Sequence, residues 1–202
     1  MNFLLSVKRQ CLKVIDKKIT YQNCDTIPLK WTIEIHKVFN HSRRWDFLCL
    51  EKEVGQAVRE SGIPRNEILV TTKMPPQANY QEAAKRIDES LAALDIDYID
   101  LMLIHWPGRN NVETYRALED AQKVGKVRSI GLSSFYGSEY QQILDECDVV
   151  PVVDQNETHV FRQQKEFQKV LKSHGTELEA WSPFAEDKKI SLRMQHYQRL
   201  RK

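Results

Sequence analysis

Short apolar runs alternate with helical patterns along the chain from Ile63 onward. The five runs are EILVTT, YIDLMLIHW, KVRSIGLSSF, VVPVVDQ and TELEAWSP, each bounded by glycine, proline or charged residues. Short, nearly continuous apolar runs of this kind are typical of strands that are buried on both faces of a parallel sheet. The pattern therefore predicts five parallel strands.

Amphipathic helices are predicted between these strands. In YQEAAKRIDESLAALD an apolar residue recurs every three or four positions, which places Ala84, Ile87, Leu91 and Leu94 on one face of a helix. The opposite face is charged. We expect the apolar face to pack against the sheet.

Two further helices are predicted to end at glycines. VETYRALEDAQKVGK carries Tyr115, Leu118 and Ala121 at helical spacing and reaches Gly125, while FRQQKEFQKVLKSHG reaches Gly175. Glycine often follows the last turn of a helix, because it adopts the left-handed backbone conformation without steric cost. Both glycines are predicted to be C-terminal caps.

The alternation of strands and helices repeats at roughly 30 residues, the length of a βαβ unit, and predicts an α/β fold with a parallel sheet. From the pattern alone, both a (β/α) barrel and an open doubly wound sheet are possible. No GxGxxG motif follows any predicted strand, which disfavours a Rossmann domain. A length of 202 residues with 41% hydrophobic content predicts a single domain.

The two ends of the chain have weaker patterns. Residues 14–29 alternate around a polar turn and are predicted to form an N-terminal hairpin. Residues 30–50 and the tail at 187–202 show no clear period of either kind. We therefore predict no regular element for residues 30–50 or for the tail.

Charge and cysteine content exclude several functional classes. A formal net charge of +2 is far from the strongly basic balance of most nucleic-acid binders. No apolar run reaches the roughly 18 residues of a membrane span, so we expect a cytoplasmic protein without a membrane partner. The cysteines form no CxxC motif and do not cluster with histidine, so no metal site is predicted.

Polar residues end each predicted strand, where parallel α/β folds place their chemistry. They are Lys73, His105, Ser133 with Ser134, Gln155 with Glu157, and Trp181 with Ser182. Each alone has an ordinary structural explanation, such as a solvated lysine, a core histidine or a packed tryptophan. Together, at successive strand ends, they predict a site.

The segments that carry these residues resemble a known family. DESLAALDIDYIDLMLIHWP, VGKVRSIGLSSF, PVVDQNETH and EAWSPFAE are similar, in order and spacing, to motifs of the aldo-keto reductases, and most similar to bacterial members related to 2,5-diketo-D-gluconate reductases. The resemblance covers Glu51 to Glu186. It implies an incomplete (β/α)8 TIM barrel with about five of eight strands recognisable, and a truncated chain. An open flavodoxin-like sheet would require these matches to be coincidental.

The resemblance also implies an activity, the NADPH-dependent reduction of small aldehydes or ketones by hydride transfer. In the family, a tyrosine donates a proton to the carbonyl oxygen, a lysine paired with an aspartate lowers the pKa of that tyrosine, and a histidine orients the carbonyl. By position, Lys73 is that lysine, His105 is that histidine, and Trp106 lines the substrate pocket.

The residues expected to bind NADP follow from the same resemblance. They are Ser133, Ser134 and Gln155 for the nicotinamide carboxamide, Trp181 for stacking on the ring, and Ser182 near the phosphates. The chain departs from the family at two places here. It has Ser134 and Asp154 where the family usually has asparagine.

Two catalytic residues of the family have no counterpart. Arg43 stands where the aspartate is expected and Leu48 stands where the tyrosine is expected. We therefore expect a catalytically impaired chain, or alternatively a non-catalytic remnant that acts as a nucleotide-binding or partner-binding module.

A frameshift would explain the departure. Reading Arg43 to Cys49 one base forward permits Asp-Ala-Gly-Ile-Ser-Tyr-Val, which restores both residues in the family spacing. In the tail, a shift of two bases through Arg193 to Gln198 similarly permits a family-like helix start.

Overall fold

The computed structural model of the chain describes residues 31–34 and 47–183, with side chains from residue 50 onward. The predicted hairpin at 14–29, Arg43 and the tail at 187–202 lie outside the described residues.

Six strands and five helices alternate along the described chain. The strands are β1 (Trp31–Glu34), β2 (Ile68–Met74), β3 (Ile99–Ile104), β4 (Val127–Ser133), β5 (Val153–Glu157) and β6 (Glu177–Trp181). The helices are α1 (Phe47–Glu60), α2 (Tyr80–Leu94), α3 (Asn111–Lys123), α4 (Gly137–Glu146) and α5 (Lys165–Ser173), and a 3-10 helix spans Arg65–Glu67.

All six strands form one parallel sheet in the order β1-β2-β3-β4-β5-β6. A doubly wound sheet reverses its strand order at a switch point, whereas a barrel adds each strand beside the previous one. The sequential order therefore confirms the incomplete barrel and argues against the flavodoxin-like alternative.

The five predicted strands correspond to β2–β6, and β1 was missed. We expected no regular element in residues 30–50, but Trp31–Glu34 pairs in parallel with Ile68–Thr71. β1 contains only four residues, too few for their alternation to stand out, and its pairing partner lies more than 30 residues away in sequence.

The outer face of the sheet packs against the helices. Val70, Met102, Ile130 and Leu132 of the strands join the helical residues in one buried apolar cluster. The predicted stripe of α3 is confirmed, since Tyr115, Leu118 and Ala121 are all buried. Burial of apolar area from the strands and helices together stabilises this layer.

The buried face of helix α2 differs slightly from the predicted apolar face. Ile87 and Leu94 are buried as expected, but Ala84 and Leu91 are only partly buried. Arg86 and Ser90 are buried instead. The charged residue is tolerated because its guanidinium pairs with a carboxylate of α1, as described below.

The predicted helix ends are more accurate than the predicted starts. Gly125 has a φ of +80° and Gly175 a φ of +85°, which confirms the left-handed backbone expected of C-terminal caps. Helix α5, however, begins at Lys165, four residues after Phe161. Helix α1 begins at Phe47, within residues 30–50, where no clear period was visible.

The amino ends of the strands are held by a cluster of ion pairs. Arg65 donates to the backbone oxygens of Ile68 (2.7 Å) and Tyr98 (2.6 Å) and to Oδ2 of Asp100 (2.7 Å). The same Oδ2 accepts from the backbone N–H of Val70 at 3.0 Å. The guanidinium groups of Arg65 and Arg128 lie 4.0 and 3.5 Å from the centre of the Tyr98 ring, close enough for cation–π attraction.

None of the described helices is long and apolar enough to cross a membrane.

Candidate active site

Five of the predicted site residues lie on the inner face of the sheet, opposite the helix layer. Partners across a parallel ladder share a face, and Lys73 is in register with Leu103, Ser133 with Gln155, and Glu157 with Trp181. Because side chains alternate along each strand, Gln155, Glu157 and Trp181 share the inner face. His105 follows β3 two residues after Leu103 and belongs to the same alternation.

Lys73 and Gln155 meet across the inner face. Lys73 is 5% exposed and Gln155 is 1% exposed. The Nζ atom of Lys73 donates a hydrogen bond to Oε1 of Gln155, although the two residues lie on strands β2 and β5, with two strands between them. The curvature of the sheet thus brings the predicted catalytic lysine into contact with a residue predicted to bind the cofactor.

His105 and Trp106 lie at the carboxyl end of β3. The backbone N–H of His105 donates to the carbonyl oxygen of Met74 at 2.8 Å and so continues the ladder between β2 and β3. The imidazole and the Trp106 indole lie 4.3 Å apart, centre to centre, at an angle of 48°. Both rings are partly exposed, so a small molecule at the strand ends could contact them.

The serine positions combine burial with an unusual backbone. Ser133 is buried at the end of β4, and the backbone N–H of Ser134 donates to the carbonyl oxygen of Gln155 at 2.9 Å. Ser134 has a φ of +63° and Ser182 a φ of +50°, in the left-handed region that residues other than glycine and asparagine rarely adopt. Such backbone strain is concentrated at functional sites in proteins.

Trp181 ends β6, the edge strand of the described sheet on this side. Its side chain is partly exposed, and its Nε1 atom is buried without a hydrogen-bond partner among the described residues. A buried N–H donor without a partner costs free energy, so it is a candidate contact for a ligand.

The layer below these residues is tightly packed around Gly131. A Cβ atom at Gly131 would lie 2.6 Å from the carbonyl oxygen of Val153 and 2.9 Å from Cδ2 of Leu103. The absence of a side chain here allows the inner face to close beneath Ser133 and Gln155.

Asp154, the residue at a usual asparagine position, faces the opposite way from Gln155. It is in register with Leu132 of the apolar cluster and is fully buried. Burial raises the pKa of its carboxyl to about 7, while the Asn156 side chain and the Phe135 backbone favour the charged form to a smaller degree. Neither carboxyl oxygen makes a well-formed hydrogen bond with a described residue.

A buried polar network behind Lys73 was not predicted. Glu51 of α1 is fully buried, and its two carboxylate oxygens accept from Oγ1 of Thr72 at 2.8 Å and from the guanidinium of Arg86 at 3.2 Å. The network joins α1, β2 and α2. A single charged residue in an amphipathic helix gives no sequence signal for such a role, because the same pattern fits a solvated face.

The chain that follows β5 folds back on Glu157. This carboxylate contacts Nε2 of His159 at 3.2 Å and accepts from the guanidinium of Arg162 at 2.7 Å. The side chain of Gln164 donates to the carbonyl oxygen of Glu157 at 3.1 Å. These contacts form a compact turn at the rim of the candidate site.

Of the two catalytic positions without a family counterpart, Arg43 lies outside the described residues. Leu48 lies in the first turn of α1, where the structure gives the backbone alone. A leucine side chain carries no ionisable proton, so it cannot replace the tyrosine as an acid.

One cleft among the described residues lies away from this site. It has a volume of about 340 Å³ and lies against α2, α3 and α4, on the helix side of the sheet. Its lining includes Tyr80, Glu119 and Asp120, and most of its charged groups are already hydrogen bonded to each other or to the backbone. We assign it no part in the candidate site.

Comparison with known proteins gives consistent results. Residues 50–191 match the model of the Aldo/keto reductase family. The chain is 35% identical over 170 residues to a 9,11-endoperoxide prostaglandin H2 reductase of Trypanosoma cruzi, covering 83% of this chain and 59% of that protein. It is 41% identical over 139 residues to the 2,5-diketo-D-gluconic acid reductase B of a Corynebacterium species, covering 67% and 50%.

A solved structure agrees with the sequence relatives. The aldo-keto reductase of Bombyx mori in complex with NADP aligns with a TM-score of 0.61 and 30% identity over 67% of this chain and 49% of that one. The chain thus spans between about half and three fifths of the proteins that it matches.

The family match contains strands β2–β6, and their order is that of a barrel. The family model alone extends over more than half of the chain, so the chain belongs to the aldo/keto reductase family.

Proposed function

We propose that this chain carries an NADPH-dependent carbonyl-reducing site with strongly lowered turnover. The observation that supports this most directly is the hydrogen bond between Lys73 and Gln155 on the inner face. It joins Lys73, predicted to be the catalytic lysine of the family, to Gln155, predicted to bind the nicotinamide carboxamide.

The inner face offers groups that fit the nicotinamide end of the cofactor. A carboxamide needs both donors and acceptors, and Ser133, Ser134 and Gln155 supply hydroxyl, backbone and amide groups there. Trp181 offers an indole ring at the same strand ends, and its N–H has no partner among the described residues. Ser182 would lie beside the phosphates. When bound, NADPH supplies the hydride.

Lys73 and His105 would act on the carbonyl oxygen of a small aldehyde or ketone. The ammonium of Lys73 is buried, and a buried positive charge stabilises developing negative charge more strongly than an exposed one. The imidazole of His105 would donate a hydrogen bond to the same oxygen and so orient it. Trp106 would border the substrate.

Turnover is limited by the missing acid. General acid catalysis contributes roughly 10²- to 10⁴-fold, and Leu48 cannot provide it. We therefore expect carbonyl-dependent NADPH oxidation by this chain to be at least about a hundredfold slower than in relatives that carry the tyrosine. A rate near that of those relatives would contradict the proposal.

A restoration experiment tests both the site and the frameshift hypothesis. Residues 43–49 are replaced by Asp-Ala-Gly-Ile-Ser-Tyr-Val, and NADPH oxidation is followed with a panel of small aldehydes. We expect the rate to rise by about a hundredfold or more. The matched control carries the same replacement with phenylalanine at position 48, which keeps the ring and removes the acid.

The restoration has two outcomes that contradict the proposal. If the tyrosine and phenylalanine replacements have the same rate, the position does not serve as the acid. If neither replacement exceeds the original chain, the inner face lacks a working site. Sequencing the gene across the codons for residues 43–51 and 188–191 tests the frameshift hypothesis independently.

A non-catalytic nucleotide-binding module is the second candidate. The same buried donors and acceptors favour it, because they would bind the cofactor whether or not an acid is present. Cofactor binding without any carbonyl-dependent oxidation, in the original and the restored chain alike, would favour this candidate.

We infer that the chain acts in the cytoplasm. Cys147 forms no disulfide with a described residue, and burial raises the pKa of its thiol to about 12, which suits a compartment where cysteines stay reduced. Nothing in the net charge of +2 suggests a nucleic-acid partner.

A further inference from the structure

We propose that Glu179 is a positioning residue of the candidate site, whose carboxylate balances the buried charge of Lys73 beside Gln155. This inference rests on the proposed function for its catalytic meaning, but its geometry comes from strands β2, β5 and β6 alone.

The register of the sheet places Glu179 on the inner face. Gln155 and Glu179 are partners in the parallel ladder between β5 and β6, so their Cα atoms lie about 4.8 Å apart and their side chains share a face. The side chain of Gln155 points to Lys73. Glu179 is therefore level with the Lys73–Gln155 pair and next to it.

Glu179 is the inner-face carboxylate best placed for this role among strands β2–β6. Alternation puts two others on that face, Glu157 and Glu177. The carboxylate of Glu157 is held at the rim by His159 and Arg162. Glu177 is exposed at the opposite, amino end of β6, two residues away from Glu179.

Lys73 has a physical need for such a neighbour. An ammonium that is 5% exposed has lost most of its hydration, and a nearby carboxylate offsets part of that cost. Gln155 contributes a neutral oxygen and no charge. A carboxylate next to Gln155 would also fix the orientation of the Gln155 amide, because the amide N–H groups are attracted to the negative oxygens.

The test measures the protonation of Lys73 itself. Trace acetylation with acetic anhydride labels only the neutral amine, and mass spectrometry of the Lys73 peptide gives the labelling rate as a function of pH. In E179Q we expect the pH of half-maximal labelling to fall by about one unit or more, because an opposite charge within about 4–6 Å favours the ammonium by that amount. E177Q, the control on the same strand and face, should match the original chain.

Two further variants complete the test. E179D keeps the carboxylate and should stay much closer to the original chain than E179Q does. If E179Q does not fold, as judged by near-ultraviolet circular dichroism, the double variant K73M/E179Q should fold, because the unbalanced ammonium is gone.

The outcomes that overturn the inference are equally clear. One is a labelling curve for E179Q that coincides with that of E177Q. The other is a K73M/E179Q variant that remains as unfolded as E179Q. Labelling needs neither NADPH nor a carbonyl compound. Failure of cofactor binding would therefore overturn the proposed function and leave the result on Glu179 standing.

Discussion

The amino and carboxyl ends of the parallel strands differ in how their polar groups are arranged. At the amino end, Arg65, Asp100 and the Val70 backbone form short ion pairs and hydrogen bonds around the Tyr98 ring. At the carboxyl end, a lysine is buried on the inner face, and two serines have left-handed backbone. The amino end is arranged for stability, while the carboxyl end carries groups that cost stability, as expected where α/β barrels place their chemistry.

The largest effect is expected at the amino end. Asp100→Ala removes the partner of Arg65 and leaves a partly buried guanidinium, which should lower the free energy of unfolding by about 3–5 kcal/mol. Urea denaturation measures this loss. A loss below about 1 kcal/mol would mean that the cluster is no more stabilising than an exposed ion pair.

A pH-dependent effect is expected behind the candidate site. The pKa of Asp154 is raised from an ordinary value of 3.8 to about 7 by burial, so the folded state holds a proton that the unfolded state loses. The contribution of Asp154 to stability is therefore greatest below about pH 4 and falls as the pH rises toward 7. The folded and unfolded pKa values of Asp154 differ by about three units, and each unit corresponds to about 1.4 kcal/mol, so the loss is up to about 4 kcal/mol.

Asp154→Asn should remove this pH dependence. We expect the variant to be more stable than the original chain at pH 8, by up to about 4 kcal/mol, and similar to it at pH 4. Urea denaturation at both pH values measures the difference. Parallel stability curves for the two chains would contradict the assignment.

The inner face should lose less stability than the amino end when its charge is removed. Lys73→Met takes away a buried charge but also removes the donor to the buried Oε1 atom of Gln155, so we expect the free energy of unfolding to fall by about 1–2 kcal/mol. Carbonyl-dependent NADPH oxidation should be lost. A stability loss as large as that of Asp100→Ala would make Lys73 a structural residue.

The smallest effect is expected at the strained serine. Asparagine adopts the left-handed conformation more readily than serine, so Ser134→Asn should raise stability by about 0.5–1 kcal/mol. Thermal unfolding measures the change. A stability loss would indicate that the Ser134 side chain makes a contact that asparagine cannot replace.

The local pattern of the chain determined much of the fold. Strands β2–β6 and the ends of α3 and α5 could be predicted because burial on both faces and C-terminal glycines leave direct signals in the sequence. β1 was missed because four residues show no period. The start of α5 was misplaced because Arg162, Gln163 and Gln164, which directly precede it, have the polar composition of a helix surface.

The site depends on contacts that the sequence does not display. The positions of Lys73, His105 and Trp181 at strand ends follow from the pattern, but the pairing of Lys73 with Gln155 joins residues 82 positions apart. The burial of Glu51 and the outward direction of Asp154 depend on register and packing. A one-residue change of register would reverse the face of each side chain.

Titration of tryptophan fluorescence with NADPH reports whether the inner face binds the nicotinamide end of the cofactor. We expect saturable quenching in the original chain that is lost in Trp181→Phe, while Trp106→Phe retains it. If the original chain shows no quenching, or if Trp181→Phe is quenched equally, the nicotinamide does not stack on Trp181.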